Sequence, residues 1–136
     1  MDGDAGHELD LVVDASALVD LLFGTGLAAE VRDRLAGHRL FAPAHVDAEI
    51  LSALGRLQRT GGLSEADVAE RLELVAESPV ERQDLASLLA GAWARRHNLR
   101  LVDALYVELA AQRDAPLITT DAGMASAFTG AELIEP

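Results

Sequence analysis

Short continuous apolar runs alternate along this chain with longer stretches whose apolar residues recur every three to four positions. Leu11, Val12 and Val13 stand in succession after Leu9, so residues 9–14 are expected to form a buried strand that ends at Asp14. "ASALVDLLF" follows as a short helix, broken by Gly24 and Gly26, and "LAAEVRDRLAG" (27–37) as a second, closed by Gly37. "RLFA" (39–42) is a strand ended by Pro43. Residues 44–60 then predict a long helix with the stripe Val46, Ile50, Ala53, Leu54 and Leu57, stopped by Gly61-Gly62. Ser64 is the expected N-cap of a helix running to Glu77, with acids in its first turn. "PVERQ" predicts a short strand, and Asp84 is expected to cap a helix reaching Arg96. "RLVDALYVELAAQR" forms another helix, "LITT" after Pro116 a late strand, and residues 122–128 a last short helix before "AELIE".

Strands that alternate with helices and carry unbroken apolar cores predict a parallel sheet covered by helices on both faces. No repeat or linker interrupts the pattern. The expected organisation is a single α/β domain over residues 9–136, preceded by a loose acidic tail at 1–8. The tail lacks the basic and apolar regions of a signal peptide. No apolar run approaches the roughly 18 residues needed to cross a bilayer. A cytoplasmic protein without a membrane partner is expected.

Composition narrows the chemistry. There is no cysteine, which excludes disulfides, iron–sulfur clusters and thiolate zinc sites. There is no lysine either, because all eleven basic residues are arginine, and a P-loop is thereby excluded. The formal net charge is −12, which by itself opposes a phosphate-backbone partner. Against it stand two groups of arginines, Arg56 with Arg59, and Arg95 and Arg96 with Arg100. They are either a solvated helix face or a surface for nucleic acid.

The acids then become the question. In an open α/β sheet, ligands sit at the carboxyl ends of the strands. Asp14 stands at one such end and Asp121, directly after "LITT", at another. Each could be an ordinary helix cap. Asp103 opens a helix whose positions i+3 and i+7 are Tyr106 and Ala110, a largely apolar face. In the helix over 44–60, Asp47 and Glu49 flank the apolar stripe on opposite sides, and helical geometry does not choose between them. Several carboxylates brought together raise one another's pKa, and a divalent cation relieves this. Oxygen-only donors suit Mg²⁺ or Mn²⁺. None of the four histidines pairs with another at i, i+4, so a histidine metal site has little support. A carboxylate cage at a sheet edge points to phosphate-ester chemistry.

At these residues the chain resembles the PIN-domain ribonucleases, and among them the VapC-type toxins of bacterial toxin–antitoxin pairs. "LVVDASALVDLL" is similar to the opening motif, with Asp14 as first acid and Ser16 two residues on. "PAHVDAEILSALGRL" resembles the second motif and selects Glu49 over Asp47. "LRLVDALYVELAAQRDAPLITTDAGM" resembles the third and fourth, with Asp103, Asp121 and Thr119, and "ERQDLASLLAGAWARRHNL" resembles the run into the third acid. The resemblance spans nearly the whole chain after the tail. It implies a three-layer sandwich around a parallel sheet, usually dimeric, and Mg²⁺- or Mn²⁺-dependent endonucleolytic cleavage of RNA. It implies Asp14, Glu49, Asp103 and Asp121 as metal-binding catalytic acids, Ser16 and Thr119 as hydroxyls that orient a carboxylate or a water, and an antitoxin that blocks the active-site groove. The helices over 27–37 and 44–76 are candidates for that contact or for a dimer, unless their stripes are core. The acidity and the missing lysine depart from what an RNA-binding surface would carry.

Two other readings compete. A phosphatase or receiver-type α/β domain also places an aspartate after its first strand, but such domains use a lysine and this chain has none. A non-catalytic binding module would use the same acids only as caps or as a partner surface. "GTGLAA" (24–29) mimics a dinucleotide-binding glycine motif, but it follows a helix-like segment and is expected to be a loop between helices.

Overall fold

The computed structural model describes residues 8–24 and 26–136. Residues 1–7 of the expected tail and Thr25 of the "GTGLAA" string lie outside the described residues. The elements follow the order β1 (Asp10–Val13), α1 (Ala15–Phe23), α2 (Ala28–Leu35), β2 (Arg39–Pro43), α3 (Val46–Arg59), α4 (Glu65–Glu77), β3 (Val80–Gln83), α5 (Leu89–Ala94), α6 (Leu101–Arg113), β4 (Leu117–Thr119), α7 (Ala122–Ala127) and β5 (Ala131–Leu133).

The strands form one parallel sheet in the order β3-β2-β1-β4-β5. β1 is central, and Leu11, Val12 and Val13 are fully buried, as an apolar run sandwiched between two helical layers must be. Helices α1 to α4 pack among themselves, while α6 lies on β1, β2 and β4 with α5 against it. This is the expected α/β sandwich with helices on both sides of a parallel sheet. The chain leaves β1 toward β2 and β3, then returns to the other side of β1 as β4 and β5. The direction of winding therefore reverses between β1 and β4, which is where open α/β sheets form ligand crevices.

The apolar stripes of α2 and α3 are core: Val31, Leu35, Val46, Ile50 and Leu54 are all buried. Among the described residues, Leu9, Leu51 and Leu74 are exposed singly, whereas Leu89, Trp93, Leu101 and Val102 form a cluster of exposed large apolar side chains around α5 and the start of α6. Ser64 caps α4 in a reciprocal capping box with Asp67. The helix expected from Asp84 to Arg96 is not formed as such. A 3-10 turn at Ala86–Leu88 precedes α5, which stops at Ala94, and no side chain caps either element. Burial of Leu88 and close packing on α6 override the local signal: a Cβ at Gly91 would lie 2.1 Å from the Glu108 carboxyl carbon. Among the described residues no helix is long and apolar enough to cross a membrane.

Truncating the centre of the sheet tests this core. Leu11→Ala, at a fully buried site, is expected to lower unfolding free energy by about 2–5 kcal/mol, read from urea denaturation of the metal-free protein.

Candidate active site

β1 carries an aspartate at each end, and the two are treated differently. At the amino end, Asp10 meets two guanidinium groups, Arg39 at 2.6 Å and Arg113 at 3.3 Å. At the carboxyl end, Asp14 is buried and has no cationic partner among the described residues. It is held by neutral donors. Asp14 Oδ1 accepts from the Ser16 hydroxyl (2.7 Å) and the Ala17 backbone N–H (3.0 Å), and Thr119 Oγ1 donates to Oδ2. The register explains the last contact. Val13 pairs with Ile118, and Asp14 N donates to Ile118 O at 3.1 Å, so the next step along both strands sets Asp14 beside Thr119.

Asp14 therefore does cap α1, as an aspartate in that position should. Burial nevertheless pushes its carboxyl above the ordinary 3.8, against the lowering pull of its three donors, and the neighbouring Asp121 charge adds to the rise. Asp121 is exposed and caps α7 by accepting from Gly123 N at 2.8 Å, while its own N–H donates to Thr119 Oγ1 at 2.9 Å. Ser16 completes the link by accepting from Thr120 N at 3.2 Å. The two strand-tip acids thus share one hydroxyl-centred network.

The remaining two acids arrive from helices. Glu49, in the first turn of α3, accepts from the Tyr106 hydroxyl at 2.6 Å. Asp103, in the first turn of α6, is gripped through both oxygens by Arg100, at 3.0 and 3.2 Å. Asp14, Glu49, Asp103 and Asp121 line one open cleft of about 340 Å³ with Asp20, Ser16, Tyr106, Arg56 and Arg100. Asp47 lies outside it and forms an ion pair with Arg82 of β3 at 2.9 Å. Of the two acids that flank the α3 stripe, Glu49 is the one that lines the cleft.

The PIN domain family profile matches residues 11–127. Ribonuclease VapC3 of Mycobacterium tuberculosis is 55% identical over 125 residues, which cover 91% of each protein. This chain belongs to the PIN domain family, in its VapC group. A crystal structure of PAE2754 from Pyrobaculum aerophilum superposes with a TM-score of 0.67 at 28% identity, covering 90% of this chain and 82% of that one. A toxin–antitoxin complex from Klebsiella pneumoniae shares the fold, with a TM-score of 0.66 at 18% identity over 92% of this chain and 98% of that one.

In this PIN domain the oxygen donors of the cleft, carboxylates and hydroxyls, fit a hard divalent cation, and the one sulfur in its lining is the soft thioether of Met124. As the side chains stand, no group of three or more acids or histidines among the described residues converges closely enough to hold one. Arg100 on Asp103 and Tyr106 on Glu49 occupy two of the four carboxylates. The arginines divide unequally. Arg56 and Arg100 line the cleft, whereas Arg59, Arg95 and Arg96 do not. Arg95 is committed to Glu108 at 3.2 Å, and Arg96 stacks on Trp93 with its guanidinium carbon 4.5 Å from the ring centroid.

Two participants escape sequence reasoning. Tyr106 reads as part of an apolar helix face, yet its hydroxyl reaches Glu49, and burial together with that carboxylate raises its pKa so that it remains a donor. Its position three residues after Asp103 was the available signal. Asp20 lines the cleft one helical turn beyond Ser16, an i, i+4 relation visible in the sequence.

The raised Asp14 pKa sets a pH dependence. Below 3.8 both the native and the unfolded carboxyl are protonated, and burial costs little. As pH rises through the elevated native value, the folded protein must hold a desolvated charge that the unfolded chain would hydrate, so stability falls and stays lower at neutral pH. Asp14→Asn should therefore raise the melting temperature at pH 7 in EDTA, with the gain shrinking below about pH 4. A melting temperature below wild type at every pH would contradict this.

Proposed function

We propose that this PIN domain, carried by residues 9–136, is a divalent-metal-dependent endoribonuclease and the toxin of a toxin–antitoxin pair. The observation that carries the reading is the meeting of Asp14, Glu49, Asp103 and Asp121, from four separate elements, in one cleft at the reversal point of the sheet. The kinship with Ribonuclease VapC3 supports the reaction class.

Asp14, Glu49, Asp103 and Asp121 are the residues that would hold Mg²⁺ or Mn²⁺. When bound, such an ion supplies a water of lowered pKa and neutralises charge developing on the phosphate and the leaving oxygen. Ser16 and Thr119 fix the orientation of the Asp14 carboxylate, and Thr119 couples it to the Asp121 backbone. Tyr106 fixes one oxygen of Glu49. Arg56 and Arg100 offer positive charge to the phosphodiester backbone within an otherwise acidic cleft. The RNA substrate and the cognate antitoxin would both work in the cytoplasm.

Purified protein incubated with a mixed RNA pool is expected to cut with Mn²⁺ or Mg²⁺ and to stop in EDTA. Asp14→Asn/Asp103→Asn should lose activity by about two orders of magnitude or more, since weakening even the groups that merely support a metal ligand costs 10–100-fold. Glu49→Gln should fall similarly, whereas Asp47→Asn, outside the cleft, should keep most of the activity. A folded wild type that binds no divalent cation and cuts no RNA would favour the binding module.

A homodimer is part of the same proposal, with the exposed cluster Leu89, Trp93, Leu101 and Val102 as its face. Sedimentation equilibrium should show a wild-type dimer that Trp93→Glu dissociates; a monomeric wild type would remove the idea.

A further inference from the structure

The grip of Arg100 on Asp103 differs from the grip of Arg82 on Asp47. Arg82, which neutralises Asp47, also donates to the carbonyls of Val75, Ser78 and Val80, so it is fixed by the backbone whatever Asp47 does. Arg100 makes no such bonds. Its side chain is 75% exposed, and its hydrogen bonds run only to the two Asp103 oxygens. It also stands at the N-cap of α6, where the helix dipole disfavours a cation, one turn from the carboxylate that the dipole favours. The helix dipole gives no reason for an arginine there, and the i, i+3 pair with Asp103 is its one local gain.

The surroundings give one. Arg100 lines the acid-lined cleft and feels the charges of Glu49 and Asp121 besides Asp103. A fork that engages both oxygens of Asp103 takes two of that carboxylate's roughly four acceptor sites and sets a positive charge against it, which opposes a second cation there. As the side chains stand, no three ligands converge among the described residues. An exposed ion pair is weak, so displacing this one is cheap.

We infer that Arg100 is an exchangeable counter-ion: it occupies Asp103 in the metal-free protein, and a divalent cation that takes Asp103 releases the guanidinium to bind a phosphate of the RNA. The inference rests on the metal-dependent nuclease reading. It assigns one side chain two consecutive partners, and so predicts effects of opposite sign on metal and substrate. Removing the fork should tighten metal binding and weaken RNA binding.

Simple loss of positive charge would also tighten metal binding, and two comparisons separate the causes. Arg100→Lys keeps the charge but cannot engage both oxygens in a planar fork. Arg56→Gln removes a charge from the same cleft that holds no acid, being bonded to Ser52 at 2.9 Å.

The experiment is a calorimetric titration of the full metal-free chain with MnCl₂, for wild type, Arg100→Lys, Arg100→Gln and Arg56→Gln, followed by KM and kcat on a mixed-sequence RNA oligonucleotide at saturating Mn²⁺. Both Arg100 variants should bind Mn²⁺ about two- to fivefold more tightly than wild type, the scale of an exposed ion pair. Arg56→Gln should change it less. Arg100→Gln should raise KM by a similar factor with a smaller change in kcat. Exchange is overturned if Arg100→Lys binds Mn²⁺ as wild type does, if Arg100→Gln binds no more tightly than Arg56→Gln, or if KM does not rise. A wild type that neither binds Mn²⁺ nor cuts RNA overturns the nuclease reading and the exchange with it. A wild type that does both, with Mn²⁺ affinity untouched in Arg100→Lys, overturns the exchange alone.

Discussion

A carboxylate taken out of water without a cation beside it is an unfavourable object, and the architecture around Asp14 is arranged to hold one. A parallel sheet buries its strands on both faces, so only a strand tip can present a rigidly held polar group to a crevice. Asp14 uses that tip. Its backbone is locked by the ladder to β4, and its side chain is locked by Ser16, Ala17 and Thr119. All three donors are neutral, so they orient the charge without cancelling it. Asp10, at the other end of the same strand, shows what this chain does when an acid has only to be neutralised: it supplies Arg39 and Arg113.

Capping and metal binding are not competing explanations for these acids. Asp14 and Asp121 both cap helices in the ordinary way. Asp14 accepts three hydrogen bonds and Asp121 accepts one from Gly123 N, out of the roughly four acceptor sites a carboxylate has. Helix formation therefore fixes the position of the group, and the remaining lone pairs stay available to the cleft. The same economy applies to Thr119, which is fully buried and serves as donor to Asp14 and acceptor from Asp121 N.

What could be read from the chain, and what could not, follows from the range of the interactions involved. The strand-tip acids were legible because a short apolar run and the residue after it are local facts. Whether Glu49 or Asp47 faces the site was not legible from helical geometry. It depends on how α3 packs through Val46, Ile50 and Leu54, a tertiary fact that leaves Asp47 beside Arg82, 35 residues away on β3; the family resemblance named Glu49 by motif order instead. Tyr106 was hidden for a related reason, since its hydroxyl partner lies 57 residues away on another helix. Residues 84–96 depart from the single helix their pattern predicts, with Leu88 buried and Gly91 set close against Glu108 where Asp84 offers only a local capping signal.

The acidity of the chain bears on how such a site meets RNA. Among the described residues, Arg34, Arg39, Arg71, Arg82, Arg95, Arg100 and Arg113 sit in ion pairs within the chain. Few guanidinium groups are left for phosphate, and only Arg56 and Arg100 line the cleft. Counter-ion release from a single strand contributes a salt slope of about −0.7 per neutralised phosphate, so two such contacts give little non-specific affinity. A nuclease built this way would not hold RNA by its general surface charge. It would engage only a strand whose phosphate fits the acid-lined cleft, with the cation held there supplying the attraction that the −12 surface withholds. In such a nuclease the negative field would oppose backbone that arrives anywhere but at the site.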